Sequence, residues 1–301
     1  MLGIYMLPDK TVTIFQVDAF TSVPFKGNPA GVCIVEEPLS IEMMQNIAME
    51  MNLSETAFVW PFAKSDIRKM DKFFIQWFTP ACEAPLCGHA TLAAGKVLCD
   101  IFEIASKRIT FISPHEELYV ERRGDYFQLD FPAADFQQIK MPDYLFHALR
   151  LDKADVEEQF LEACHSRNGQ MLLLRFKSIQ AIEKITPDYY ELFHAQDAIG
   201  CREVVVTARG RNDYDYVSRC FAPILGIEED PVSGASHMLL GPYWGVLLDK
   251  KRMIAYQASR RGGKIIVELR KESPDSPLRV LIMGQAVIVM EAQIHLAPEI
   301  E

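Results

Sequence analysis

A chain of 301 residues with 49% hydrophobic and 24% charged residues is long enough for two domains of about 150 residues, each able to bury a core. Its net charge of −10 repels polyphosphate and anionic bilayers, so nucleic-acid and membrane-surface binding are excluded as starting points. Seven cysteines, odd in number, scattered and without a CxxC pair, fit reduced thiols in a cytoplasm rather than a disulfide framework. The opening MLGIYMLPDK has no basic segment followed by an apolar run, so no signal peptide is expected, and no apolar stretch reaches membrane-spanning length.

In chain order, TVTIFQVDAF alternates β-branched and aromatic residues and predicts a strand. Gly27-Asn28-Pro29 predicts a tight turn into a second strand, GVCIVEE. SIEMMQNIAMEMN predicts a helix capped by Ser40, with Met44, Ile47, Ala48 and Met51 as its apolar stripe. TAFVWPF and KFFIQWFTP follow as strands. A helix starting near Gly88 is apolar enough to be buried nearly all round. RITFI, ELYVERR and YFQLDFP are further strands. From about residue 140 the pattern starts afresh: a helix at DYLFHALRL, a strand at QMLLLRF, a helix at PDYYELFHAQ, and strands at REVVVTARG and DYVSRCFAP. SGASHMLLGPYWGVLL is expected as a helix interrupted near Gly241-Pro242, and the tail returns to strands.

The two halves repeat a pattern. Phe78-Thr79-Pro80, Glu83 and Pro85-Leu86-Cys87-Gly88 in the first correspond to Phe221-Ala222-Pro223, Glu228-Glu229-Asp230 and Pro231-Val232-Ser233-Gly234 in the second. Each reads as strand, FxP, acid, PxxG, apolar helix, and the two PxxG turns lie about half a chain apart. Such a repeat predicts two similar domains whose helix N-termini serve one cleft. Helix N-termini hold carboxylates well, which suggests a carboxylic acid as substrate.

The segments VDAFTSVPFKGNPAGV, MNLSETAFV, WFTPACEAPLCGHATLAAG, EEDPVSGASH and QASRRGG, in this order, resemble the PhzF family of phenazine-biosynthesis-like isomerases. The resemblance spans residues 11 to about 290. It implies an α+β fold of two pseudo-symmetric diaminopimelate-epimerase-like domains, each a curved sheet around a central helix. The first domain is expected over residues 1–130, joined by a last strand at about 284–301, and the second over 131–283. A homodimer and cofactor-free isomerisation are also implied. So are three site residues: Glu55 of NLSETAF as acid/base, His89 of CGHAT and Asp230 of EDPV, with Gly88 beside the histidine. Where the family usually reads DPVTGSA, with serine directly after the glycine, this chain reads Gly234-Ala235-Ser236, so Ser236 or Ser233 would have to supply any hydroxyl.

Moving a hydrogen between carbons takes a base and then an acid, and one carboxylate reaching both carbons can be both. A free glutamate is a weak base, and the apolar neighbours Leu53, Ala57 and Phe58 suit the needed activation. His89 and Asp230 are placed to bond a developing enol or relay a proton. Read locally, without the resemblance, Glu55 is a loop or capping glutamate, His89 a helix-start histidine and Asp230 a turn residue. The substrate-binding set is Asn28, Gly88, Gly234, Ala235 and Ser236. Arg260-Arg261-Gly262-Gly263 reads as a hairpin lead, and His237 as structural. No metal site is expected, because the histidines are dispersed. The alternatives are a racemase, epimerase or dehydratase using Cys87 as base, although the repeat sets Cys87 against Ser233 and so lacks a thiol pair, and a catalytically silent small-acid-binding protein.

Overall fold

The computed structural model describes residues 10–166 and 171–296. The reading of the N-terminal segment as free of a signal peptide falls mostly on residues 1–9, outside the described residues. So do residue 170 of the expected strand QMLLLRF and the end of the last domain segment.

The chain divides into two compact units. One comprises described residues 10–19, Pro29–Arg122 and 286–296, and the other comprises Phe20–Asn28 and Arg123–Gln285. The chain runs β1 (Lys10–Ala19), β2 (Asn28–Ile34), α1 (Ile41–Met51), β3 (Glu55–Pro61), β4 (Lys72–Phe78), the two-residue β5 (Glu83–Ala84), α2 (Gly88–Asp100), β6 (Arg108–Ile112) and β7 (Glu117–Arg123). It continues with β8 (Tyr126–Pro132), β9 (Phe136–Ile139), α3 (Asp143–Ala148), α4 (Lys153–Gln159), β10 (Phe160–Ser166), β11 (Met171–Phe176), α5 (Ile179–Glu183), α6 (Tyr189–Ile199), β12 (Glu203–Arg209), β13 (Tyr216–Ala222) and β14 (Ile227–Asp230). Then come α7 (His237–Leu248), β15 (Arg252–Gln257), β16 (Gly263–Arg270), β17 (Arg279–Gly284) and β18 (Ala286–Leu296). Among the described residues no helix is long and apolar enough to cross a membrane.

In the first unit β2 runs parallel to β3, β3 antiparallel to β4, and β4 antiparallel to the short β5 and parallel to β6, which pairs antiparallel with β7. The second unit repeats this order with β11, β12, β13, β14, β15 and β16. The repeat therefore extends from sequence to strand pairing: Phe78 faces Glu83 across β4–β5, and Phe221 faces Glu229 across β13–β14. The first unit gains β18, paired antiparallel with β1 from Lys10↔Leu296 to Ala19↔Ala286. β8 pairs with β17, which ties residues 126–132 to the second unit.

Each unit has a central helix. α2 packs on β1, β3 and β18, and of its residues only Asp100 is exposed, with Gly88 and Lys96 half-buried. Lys96 and Arg122 both pair with that aspartate, at 2.6 and 3.1 Å. A helix apolar on every side needs sheet around it, since helices with one wet face carry a polar stripe. α7 packs on β11, β15, β16 and β17. α1 instead lies on the outer side of its sheet. It buries only Met44, Ile47 and Ala48, starts at Ser40, whose hydroxyl accepts from Met43 N–H at 3.2 Å, and ends on left-handed Asn52.

The expected break at Gly241-Pro242 does not occur: α7 is continuous through Pro242. Proline cannot donate to the carbonyl four residues back, that of Met238. Ala134 N–H donates to it instead, at 2.8 Å, so no buried acceptor is orphaned. Six short elements were missed from sequence: β5, β9, α4, β10, α5 and β14. β10 carries exposed Leu161 beside half-buried Phe160 and Glu162, which blurs the alternation that marks a strand.

Arg219 is the main polar anchor of the second core. It is 9% exposed, bonds Glu229 through Nε and Nη2 at 2.7 and 3.0 Å, and donates to the Ile182 and Ile185 carbonyls at 3.0 and 2.7 Å. Arg219→Ala removes the donor that pairs with a half-buried carboxylate and with the Ile185 carbonyl. It is expected to lower unfolding stability by about 3–5 kcal/mol in urea titration, whereas the exposed-pair substitution Lys64→Ala is expected to change it by less than about 1 kcal/mol.

Candidate active site

The first unit brings Glu55, Cys87 and His89 together. Glu55 opens β3, opposite Ala30 of β2, and Cys87 and His89 flank Gly88 at the start of α2. His89 Nε2 lies 3.4 Å from Glu55 Oε2, and Cys87 Sγ lies 3.4 Å from His89 Nδ1. Both Glu55 and His89 are largely enclosed, with side chains 14% and 7% exposed. Burial pushes His89 down to about 4; a hydrogen bond to the Pro29 carbonyl opposes this only in part. The imidazole is therefore neutral at ordinary pH. The same Pro29 carbonyl accepts from Ser54 Oγ at 3.3 Å, so the turn before β2 also fixes the residue preceding Glu55.

The second unit brings Asn28 and Asp230 together. Asn28, fully buried, donates from Nδ2 to Asp230 Oδ1 at 2.7 Å and to the Val232 carbonyl at 3.1 Å. Burial raises Asp230 to about 6, against the lowering effect of the Val232 N–H, the Ser233 hydroxyl and Asn28. The turn from Pro231 to Ser236 is held internally: Ser236 N–H donates to Ser233 Oγ at 3.1 Å, and the Ser236 hydroxyl donates to the Ser233 carbonyl at 3.0 Å. Ser236 is fully buried, so its hydroxyl is engaged within the turn. The repeat aligns the helix starts at Gly88 and Gly234, but α7 begins at His237, because residues 234–236 form a tighter turn bonded from His237 N–H to the Gly234 carbonyl. A Cβ on Gly234 would sit 3.3 Å from Phe20 Cζ. Phe20 itself is held at φ 63°, strained for a bulky side chain, with its carbonyl accepting from Lys264 N–H.

Sequence reading missed Gln257, which begins QASRRGG. Its Oε1 accepts from Ser233 N–H at 2.9 Å and its Nε2 donates to the Asp230 carbonyl at 2.6 Å, so it clamps both ends of the turn. Gln257 is fully buried at the end of its strand, which nothing in the local sequence marks. Arg261 donates to the Gly27 and Lys26 carbonyls at 2.8 and 3.0 Å, the contacts of a hairpin tying down the turn before Asn28. His237, fully buried, has Nδ1 2.8 Å from the Tyr216 hydroxyl and is pushed down to about 3 by burial.

Metal ligation has one candidate among the described residues: potential ligand atoms of Glu55, Cys87 and His89 lie within 4.8 Å of one another. The imidazole, however, turns Nδ1 to the thiol and Nε2 to the carboxylate. One ion takes one ring nitrogen, so only one of these two imidazole contacts could be kept if a metal were held here.

Comparison with known proteins identifies the family. A family model described as phenazine biosynthesis-like protein, PhzC-PhzF, matches residues 17–292. An uncharacterised isomerase of Halalkalibacterium halodurans is 37% identical, covering 95% of this chain and 99% of its own. The crystal structure of a PhzF-family protein from Enterococcus faecalis superposes with a TM-score of 0.82 at 37% identity, covering 95% of this chain and 100% of that one. A hydroxyproline epimerase from Agrobacterium vitis, at 10% identity and a TM-score of 0.58 over 96% of this chain and 94% of its own, shares the fold alone. The α+β epimerase-like architecture is thus confirmed, and the chain belongs to the PhzC-PhzF phenazine biosynthesis-like family, whose relatives include proteins named as isomerases.

Proposed function

We propose that the protein is a cofactor-independent isomerase that moves a proton between carbons of a small carboxylated substrate, with Glu55 as the acid/base. The supporting observation is the enclosed Glu55–His89 pair, 3.4 Å apart, in which the histidine is neutral. A neutral imidazole offers a hydrogen bond to an enol oxygen without carrying a charge.

In this reading Glu55 removes a proton from a carbon made acidic by a neighbouring carboxyl or conjugated group. It then returns that proton to a second carbon, so no net proton is consumed. His89 steadies the charge that develops on the substrate oxygen. Backbone N–H groups at the start of α2, beginning with Gly88, are suited to the substrate carboxylate, as helix N-termini hold anions. Asp230, steadied by Asn28, is the acid of the second unit; at about 6 it passes between proton donor and acceptor within the physiological range. With Ser236 turned into its own loop, substrate contact from this turn falls to the backbone of Gly234 and Ala235.

The test needs no known product. Incubation with a panel of carboxylic acids in deuterated water, followed by proton NMR, identifies any acid whose C–H exchanges. Glu55→Gln is expected to slow that exchange by about 10²–10⁴-fold with the fold intact; exchange at the wild-type rate would sink the assignment.

Cys87 gives the competing reading, because its sulfur lies 3.4 Å from His89 Nδ1. If Glu55 is the base, Cys87→Ala keeps exchange within about tenfold of wild type; if the thiol is the base, the loss matches that of Glu55→Gln. His89→Gln is expected to lower kcat more than it raises KM, since it removes an interaction that strengthens in the transition state.

A further inference from the structure

Among the titratable side chains of the second unit that the reaction scheme leaves unused is Glu203. Glu203 opens β12, whose Val204 faces Phe221 and whose Val205 faces Cys220 on β13. Continuing this antiparallel register sets Glu203 opposite Ala222. On the other side of β13, Cys220 faces Asp230 of β14. Directly opposed residues share a face, and alternate residues of one strand do too. Glu203, Cys220 and Asp230 thus lie on one face of three adjacent strands.

Side-chain contacts agree. Cys220 Sγ donates to Glu203 Oε2 at 3.6 Å. A thiol therefore lies between two carboxyls, bonded to one and facing the other across the β13–β14 pairing. We propose that Glu203 is a proton-holding positioning residue for Asp230, joined to it through Cys220, so that the two carboxyls together carry one negative charge just below neutral pH. This deepens the reading of Asp230 as a site residue and rests on it. A single charge tolerates a nearby substrate carboxylate, where two would repel it.

The electrostatics run in the required direction. Burial, then the charge of Asp230, raises Glu203 to about 7, while Asp230 stands at about 6. Asp230 ionises first, and its charge then retains the proton on Glu203. Cys220 is raised well above the usual thiol range, by burial and then by Glu203 and Asp230, and stays protonated. The other charged groups around the pair are Arg202, which favours ionised Glu203, and Glu229, which disfavours ionised Asp230 and is itself paired with Arg219. Asn28 and Gln257, which also bond Asp230, are neutral.

The experiment is carbon-13 NMR titration of side-chain carboxyls in the full chain without substrate, so its result is independent of turnover. One glutamate resonance is expected to titrate near pH 7 and to vanish in Glu203→Gln. In Asp230→Asn that resonance is expected to move down by about one pH unit, because a like charge has been removed. A Glu203 resonance titrating near the ordinary value of about 4.3, or one unmoved by Asp230→Asn, overturns the proposal. Should Glu203→Gln fail to fold, Glu203→Asp supplies the assignment through loss of the glutamate signal, and Asp230→Asn still decides. With an exchanging acid from the NMR panel as probe, wild-type KM is expected to rise above about pH 7, and Glu203→Gln to flatten that rise while changing kcat less. A purely structural glutamate would leave the pH dependence of KM in place.

Discussion

A helix with no wet face is the constraint from which this structure follows. α2 is lined with Ala90, Leu92, Ala93, Ala94, Val97 and Leu98, all fully buried. No single sheet face can cover it, so β1, β3 and β18 surround it. α7 makes the same demand of β11, β15, β16 and β17. In each unit the strand leading to the helix turns through a short antiparallel return, β5 or β14, before the helix begins. That return delivers a chemically useful residue to the helix start: His89 in one unit, and Asp230 with the 231–236 turn in the other.

The two units have diverged where chemistry would require it. The first sets a thiol, a neutral imidazole and a carboxylate in line. The second replaces the thiol with Ser233, whose hydroxyl accepts from the Ser236 amide, and adds an amide clamp from Asn28 and Gln257. A racemase with matched thiols would need both sites alike.

Much of this was legible in the sequence because the signals were strong and local. Ser40 capped α1 as its spacing implied, and the apolar composition of α2 correctly implied enclosure. The FxP–acid–PxxG repeat carried through to strand pairing because it encodes the turn between β4 and β5, and between β13 and β14. What was not legible depended on distant partners. Pro242 reads as a helix breaker until Ala134 is seen to supply the missing donor. Glu203 and Gln257 look like ordinary polar residues until strand register brings them beside Asp230 and Ser233. Glu55 has no local mark at all: it is notable only because the β2–β3 pairing and the start of α2 set it beside His89.

The pairing of β1 with β18 has a consequence for how the protein is made. β1 emerges from the ribosome early, yet its partner, running from Ala286 to Leu296, is synthesised after nearly everything else. The wall of sheet around α2 stays open until then, and the contacts that close it have about the largest sequence separation the chain allows. The second unit, whose strands β8 to β17 are nearly contiguous, can form first. The sheet around α2 cannot close until β18 is made, and until then an apolar helix lacks one of its covering strands, a stage open to aggregation and chaperone recognition.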